Sequence, residues 1–154
     1  MEFIGNNWDI ILRLTAAMVM GGLLGLEREF AGKMAGLRTY SLISVGAALF
    51  VIISQLVSKD FIGVTNFDPM RVASQIIVGV GFVGAGLVIF REAEHRPAGI
   101  TTAAGLWVSA AIGMATGFGL YAAALFGTAV ALFILWILAY ADRRIRDNTE
   151  REGK

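Results

Sequence analysis

The sequence contains no cysteine, one histidine (His95) and only two prolines in 154 residues. Without cysteine there is no disulfide framework and no thiolate metal site. A lone histidine set among charges cannot build a histidine cluster. Charge is also scarce, at 16% Asp, Glu, Lys and Arg, against about 25% in soluble domains. No Ser-His-Asp set, P-loop or paired metal-binding helix motif is present, so an enzyme is not expected. Apolar residues fill the space: 56% of the chain is hydrophobic and the mean hydropathy is +0.69. A chain of this length has room for one domain. Its apolar excess is too large for a single water-soluble core and belongs with lipid.

A helix needs roughly 20 mainly apolar residues to cross the hydrocarbon core. Five runs qualify: residues 8–26, 39–57, 72–90, 100–116 and 120–140. They are continuous rather than alternating, which favours helices over the short segments of a barrel. The expectation is an all-α integral membrane protein with five transmembrane helices in residues 1–140, followed by a short polar tail, 141–154. The N-terminus lacks a basic region, and its first apolar run is long enough to span, so a cleaved signal peptide is not expected.

Orientation follows from Lys and Arg in the short loops. Ten of the thirteen fall on one side: Arg28, Lys33 and Arg38 after the first helix, Arg91 and Arg96 after the third, and Arg143, Arg144, Arg146, Arg151 and Lys154 in the tail. That side is expected to be cytoplasmic, which places the N-terminus outside. Trp8 at the outer edge, and Trp136 and Tyr140 at the inner edge, suit interfacial anchors. The tail is expected to fray or to lie along the anionic lipid surface.

Shifting the sequence by 63 residues lays residues 21–50 over 84–113 without a gap. Ten of those thirty positions are identical, among them Gly21/Gly84, Arg28/Arg91, Glu29/Glu92, Gly36/Gly99 and Thr39/Thr102. Shared Gly/Ala composition explains the alanines. It does not explain Arg-Glu and Ala-Gly-x-x-Thr falling in one register. Helices 1–2 and 3–4 therefore read as a parallel internal repeat about an axis along the membrane normal, with helix 5 an addition.

Nineteen glycines are present. Gly21/Gly25, Gly113/Gly117 and the run Gly79, Gly81, Gly84 and Gly86 fall at spacings that let membrane helices approach closely. Tight packing within the bundle is the first expectation. An ion path or a homodimer face along the third helix is the second. The GxGxxG of Gly79–Gly84 has no strand before it and is not a dinucleotide site.

Three polar clusters stand out. Glu27, Arg28 and Glu29 end the first helix, where the dipole disfavours anions. Adjacent residues point apart, so Arg38 across the loop is the expected partner of Glu27. Either a structural salt bridge or a cytoplasmic docking or ion-entry site follows. Asp68-Pro69 before the third helix reads as N-cap and first helical residue, with Arg71 and Gln75 one turn apart beyond it. Asp9 and Arg13 read as an i, i+4 pair at the outer end of the first helix. Thr101 and Thr102 open the fourth helix and either cap it or bond across to the second. Trp107, in mid-span, reads as packing. For a hard divalent cation, Glu27, Glu29 and Asp68 are the candidate oxygen ligands, although Asp68 is expected on the opposite side.

These motifs resemble those of the MgtC/SapB membrane proteins: GLLGLERE at 22–29, AGLRT at 35–39, GAALF at 46–50, DPMRVASQ at 68–75, GVGFVGAG at 79–86, GITTAAGLW at 99–107 and AAIG at 110–113. The resemblance covers roughly residues 14–140. It implies a bacterial inner-membrane protein with five spans and a cytoplasmic C-terminus, linked to growth at low Mg²⁺ and, in pathogens, to survival inside macrophages. Members often carry a soluble domain after the fifth helix, where here a short tail stands. The family's polar positions map onto Glu27, Arg28, Arg38, Thr39, Thr101 and Thr102 on the cytoplasmic side, and onto Asp68, Arg71 and Gln75 toward the other.

The function expected on this basis is regulation of other membrane proteins, such as ion-motive ATPases, in Mg²⁺ homeostasis. The alternative is a transporter or channel for Mg²⁺ or another small solute. Beyond a possible Mg²⁺ ion, no cofactor is expected. The expected partners are the lipid bilayer, another membrane protein and a second copy through a glycine-rich face, with no nucleic acid.

Overall fold

The computed structural model describes residues 2–60, 68–89 and 99–138. They form five helices: α1 (Glu2–Phe30), α2 (Leu37–Asp60), α3 (Pro69–Ile89), α4 (Ile100–Gly117) and α5 (Tyr121–Phe133), the last continued by one π-helical turn, Ile134–Leu138. No strand occurs among the described residues. Every helix holds a stretch long and apolar enough to cross a membrane: Asn7–Phe30, Leu37–Ser58, Met70–Val88, Ile100–Gly117 and Tyr121–Leu138. The chain is a multi-pass membrane protein. The spans read from the sequence agree with these to within a few residues. Phe90, His95, Tyr140, the basic residues Lys59, Arg91 and Arg96, and the tail lie outside the residues whose side chains are described.

Glycine sets the two tightest turns. After α1, Gly32 takes φ 64°, with its N–H on the Glu29 carbonyl and that of Lys33 on the Arg28 carbonyl. After α4, Gly119 takes φ 77°, with its N–H on Thr116 and that of Leu120 on Ala115. Both are Schellman closures, in which a left-handed residue lets two otherwise orphan carbonyls find donors. The second closure makes α4 and α5 the antiparallel hairpin expected from Gly117-Phe118-Gly119.

The large apolar side chains of the bundle mostly face outward, and its interior mixes apolar residues with small and hydroxyl ones. Helix α4 packs on all four others, and α1 and α2 share the most extensive contact. Half of the α4 span is buried, yet its hydropathy is the lowest of the five; α5 is the most apolar and is 22% buried. Lipid tails are as apolar as leucine, so large side chains gain little from turning inward. Small and hydroxyl residues turn inward instead: Gly105, Ser109, Gly113, Thr116 and Gly117 on α4, and Tyr40, Ser44, Ala47 and Ala48 on α2. Trp107 is 48% exposed and faces outward, so its expected role in packing is corrected.

Helix α2 is pressed between α1 and α4. A Cβ on Gly21 would meet the Tyr40 carbonyl at 2.9 Å, one on Gly25 the Leu37 Cα at 2.7 Å, and one on Gly117 the Ala48 carbonyl at 2.8 Å. On Gly113 it would collide with the Ser44 backbone. On α3 the expectation of internal packing fails at three of four glycines. Only at Gly84 would a Cβ meet a neighbour, the Ala103 Cβ at 3.4 Å; at Gly79, Gly81 and Gly86 it would stand in open space. Some contacts follow the 63-residue register of the sequence match. Gly36 and Gly99 each receive the N–H four residues on, from Tyr40 and Ala103. Gly21 lies against Tyr40 as Gly84 lies against Ala103.

Candidate functional site

The end of the bundle where α1 and α5 finish and α2 and α4 begin gathers most of the sequence-nominated residues. Arg28, in the last turn of α1, is 3% exposed. An arginine so deep at a membrane boundary needs its charge and donors satisfied. Its Nε and Nη2 both donate to the Glu27 carboxylate (Nη2–Oε1 2.7 Å), and Nη2 also reaches the Leu135 carbonyl at 3.4 Å. Leu135 lies in the π-helical turn, where the α-helical hydrogen-bond register changes. One guanidinium therefore joins α1 to α5.

The pairing corrects the expectation that Glu27 bonds Arg38. Neighbouring Cβ atoms do diverge on a helix, but three methylenes let the guanidinium curl back to the adjacent carboxylate with fork geometry. Arg38 is exposed on the outer face of α2 and pairs with neither Glu27 nor Glu29 among the described residues. Glu29 has another role. Its Oε2 accepts the Leu37 N–H at 2.9 Å. The carboxylate at the end of α1 is thus offset by the positive start of α2.

One turn into α2, Tyr40 is fully buried beneath this ion pair. Its hydroxyl donates to the Thr102 carbonyl at 3.2 Å, and its own carbonyl accepts from the Ser109 hydroxyl at 2.9 Å. Gly105 leaves the space that the phenol fills. Thr102 is buried, but its backbone makes the cross-helix bond. Thr101 is exposed, Thr39 is half-buried, and α4 begins at Gly99 (φ 99°) without a side-chain cap. The structure therefore brings together Glu27, Arg28 and Thr102, leaves Arg38 and Thr101 on the outside, and adds Tyr40, Ser109 and Leu135. Tyr40 carried a signal that sequence reading missed: a buried tyrosine needs a partner for its hydroxyl.

Asp68 lies at the opposite end. Its carboxylate accepts the Met70 N–H at 2.9 Å, the expected cap of α3. Arg71 and Gln75 are exposed on α3. The three carboxylates considered for a cation are thus divided between two ends, and Glu27 and Glu29 each already accept a protein donor. No group of three or more His, Cys, Asp or Glu residues converges among the described residues. At this same end Arg13 pairs with Asp9 at 2.7 Å, as expected, and also donates to Gln55 at 2.9 Å and to the Gly117 carbonyl at 2.7 Å. It sits at the C-terminus of α4, where a cation is favoured.

Two lateral grooves complete the surface. One, of about 450 Å³, lies between α2 and α3 and includes Leu42, Gly46, Phe50, Gln75, Gly79 and Val83. The other, of about 370 Å³, lies between α1 and α2 around Gly22, Leu26, Leu37 and Ser41. Both linings are almost wholly apolar.

Residues 14–144 match the MgtC family. The chain is 43% identical over 132 residues to "Putative magnesium transporter YhiD" of Escherichia coli K12, covering 82% of this chain and 59% of that protein. It is 44% identical over 135 residues to "Protein MgtC" of Salmonella typhimurium, covering 88% and 54%. To "Protein MgtC" of Brucella abortus it is 50% identical over 107 residues, covering 70% and 42%. The chain spans about half the length of these curated relatives. No solved structure matches.

Proposed function

The chain belongs to the MgtC family, and from that premise we propose that it is a non-enzymatic component of Mg²⁺ homeostasis in the bacterial inner membrane, acting on other membrane proteins such as ion-motive ATPases. The loop charges favour the Arg28 end as the cytoplasmic one. The observation that supports the regulatory reading is the close packing of α1, α2 and α4 among the described residues. Helices α1, α2 and α4 meet through glycines that have no room for a methyl group, and the grooves open sideways with apolar linings. A hydrated cation needs oxygen ligands or water along its route. A bundle packed this way is suited to lateral contact.

The transporter reading has its own support. One relative carries the name of a putative magnesium transporter, and a buried Arg28–Glu27 pair at a bundle end is a feature that transport proteins use. Mg²⁺ flux into proteoliposomes decides between the two. The regulatory reading expects no flux above that of empty vesicles under a membrane potential of either sign. Flux above that of empty vesicles overturns it, and loss of that flux in a Glu27→Gln protein still folded under the assay conditions places an ion route beside Arg28.

A further inference from the structure

The groove between α1 and α2 is confined to one half of the membrane. On α1 it runs from Leu26 to Met18, and on α2 it is walled by Leu37 and Ser41. Met18 stands midway along the α1 span, Asn7–Phe30, and Leu37 opens the α2 span. At 1.5 Å per residue the groove is about 12 Å long, against about 15 Å for half of the hydrocarbon core. Gly22 keeps its floor low: a Cβ there would meet the Ser41 Oγ at 3.1 Å. Ser41 is half-buried, and its hydroxyl makes no hydrogen bond among the described residues. At the mouth, Lys33 in the turn and Arg38 in the first turn of α2 are exposed and pair with no carboxylate among the described residues. Glu29, the carboxylate nearest to them in the chain, already accepts the Leu37 N–H. Two cations against one carboxylate leave the mouth positive.

We propose that this groove holds one anionic phospholipid of the leaflet that meets the Arg28 end. Its phosphodiester lies against Lys33 and Arg38, the Ser41 hydroxyl donates to an ester carbonyl of its glycerol, and an acyl chain fills the apolar channel beside Gly22 and Leu23. Arg38 and Ser41 are three residues apart, which makes them neighbours on the helix surface and sets the hydroxyl about 4.5 Å deeper. Cation, hydroxyl and apolar wall thus follow one another down the groove in the order phosphate, ester and chain. The length of the groove argues for lipid over a protein helix. A partner helix would cross the whole core, about 30 Å, whereas a lipid of one leaflet ends where this groove ends. The charge argues for an anionic headgroup: basic pockets between membrane helices attract one, and a zwitterionic headgroup would set its own ammonium against the same two cations.

The full chain, purified in detergent and stripped of lipid, is titrated with phosphatidylglycerol or phosphatidylethanolamine, and bound lipid is counted by native mass spectrometry. One saturable phosphatidylglycerol per chain is expected, with phosphatidylethanolamine about tenfold weaker. Lys33→Gln with Arg38→Gln should weaken phosphatidylglycerol about tenfold. Arg151→Gln with Lys154→Gln removes the same charge from the tail and should not. Val19→Trp, which sets a larger ring in the groove wall, should weaken both lipids. Lys33, Arg38 and Val19 are exposed, so these variants should keep the wild-type unfolding midpoint in lipid-free detergent. Equal binding of the two lipids, undiminished phosphatidylglycerol binding without Lys33 and Arg38, or an equal loss from the tail variant would each overturn the proposal. The chain has no cysteine of its own, so Leu23→Cys, oxidised in native membranes, reports on a protein occupant. It should remain monomeric, and an adduct with a second copy or with another protein would overturn the proposal as well.

Discussion

Tyr40 and Gly105 share one volume: a methyl group on Gly105 would stand where the Tyr40 hydroxyl is. That hydroxyl is the bond by which α2 holds the first turn of α4. Gly105→Ala should therefore force the helices apart and cost about 1–3 kcal/mol. Tyr40→Phe keeps the ring and loses one hydrogen bond, about 0.5–1.5 kcal/mol. Thermal unfolding in detergent should rank wild type above Tyr40→Phe. Gly105→Ala should not be rescued by Tyr40→Phe, because the ring itself lies within 3.1 Å of the added carbon. Full rescue would show that the collision is with the hydroxyl alone.

The buried pair at the Arg28 end predicts an asymmetry. Glu27→Gln leaves Arg28 charged and uncompensated and should cost about 3–5 kcal/mol. Glu27→Gln with Arg28→Met removes both charges and should be less damaging than the single change. Equal or greater loss in the double variant, measured by the same unfolding assay, would show that Arg28 serves chiefly through the Leu135 carbonyl.

At the other end Arg13 joins three elements. Arg13→Ala should destabilise the bundle by about 1–3 kcal/mol, because the Gln55 amide and the Gly117 carbonyl lose a charged donor. Asp9→Asn removes only a half-exposed partner and should cost about 0–1 kcal/mol. Protease resistance of the α4–α5 turn should fall in the first variant and hold in the second.

Gly32 and Gly119 adopt left-handed backbone. Alanine at either position should cost about 1 kcal/mol. A Cβ at Gly32 would stand in open space, and one at Gly119 would make an ordinary contact with the Arg13 guanidinium at 3.5 Å. The left-handed backbone is therefore the cost at both positions, and the two variants should show similar drops in midpoint temperature; a drop at one position alone would contradict this.

The five spans, the Asp68 cap, the Asp9–Arg13 pair and the α4–α5 hairpin were legible because each is local: a run length, a cap dipeptide, an i, i+4 spacing, a glycine turn. The partners of Glu27 and Glu29 were not. Arg28 reaches its neighbour by bending a long side chain, and Glu29 finds a backbone N–H across a loop; neither geometry is encoded in spacing. The α3 glycines depart from the first expectation, tight packing within the bundle, for a related reason. In water an apolar stripe marks the core, but in lipid both faces are apolar, and glycine serves equally inside a bundle and on an open face. Only the neighbours of Gly79 and Gly86 separate the two cases.

The burial of small and hydroxyl residues on α4 also bears on biogenesis. Taken alone, α4 offers the insertion machinery a stretch rich in glycine and hydroxyl groups, the least favourable of the five to release into lipid. Its best cover is the α1–α2 hairpin, which is synthesised before it and already holds Tyr40 and Ser44 in place. Because the hairpin precedes α4 in the chain, it can serve as a template, and α4 is expected to leave the translocation channel against protein rather than into bare lipid.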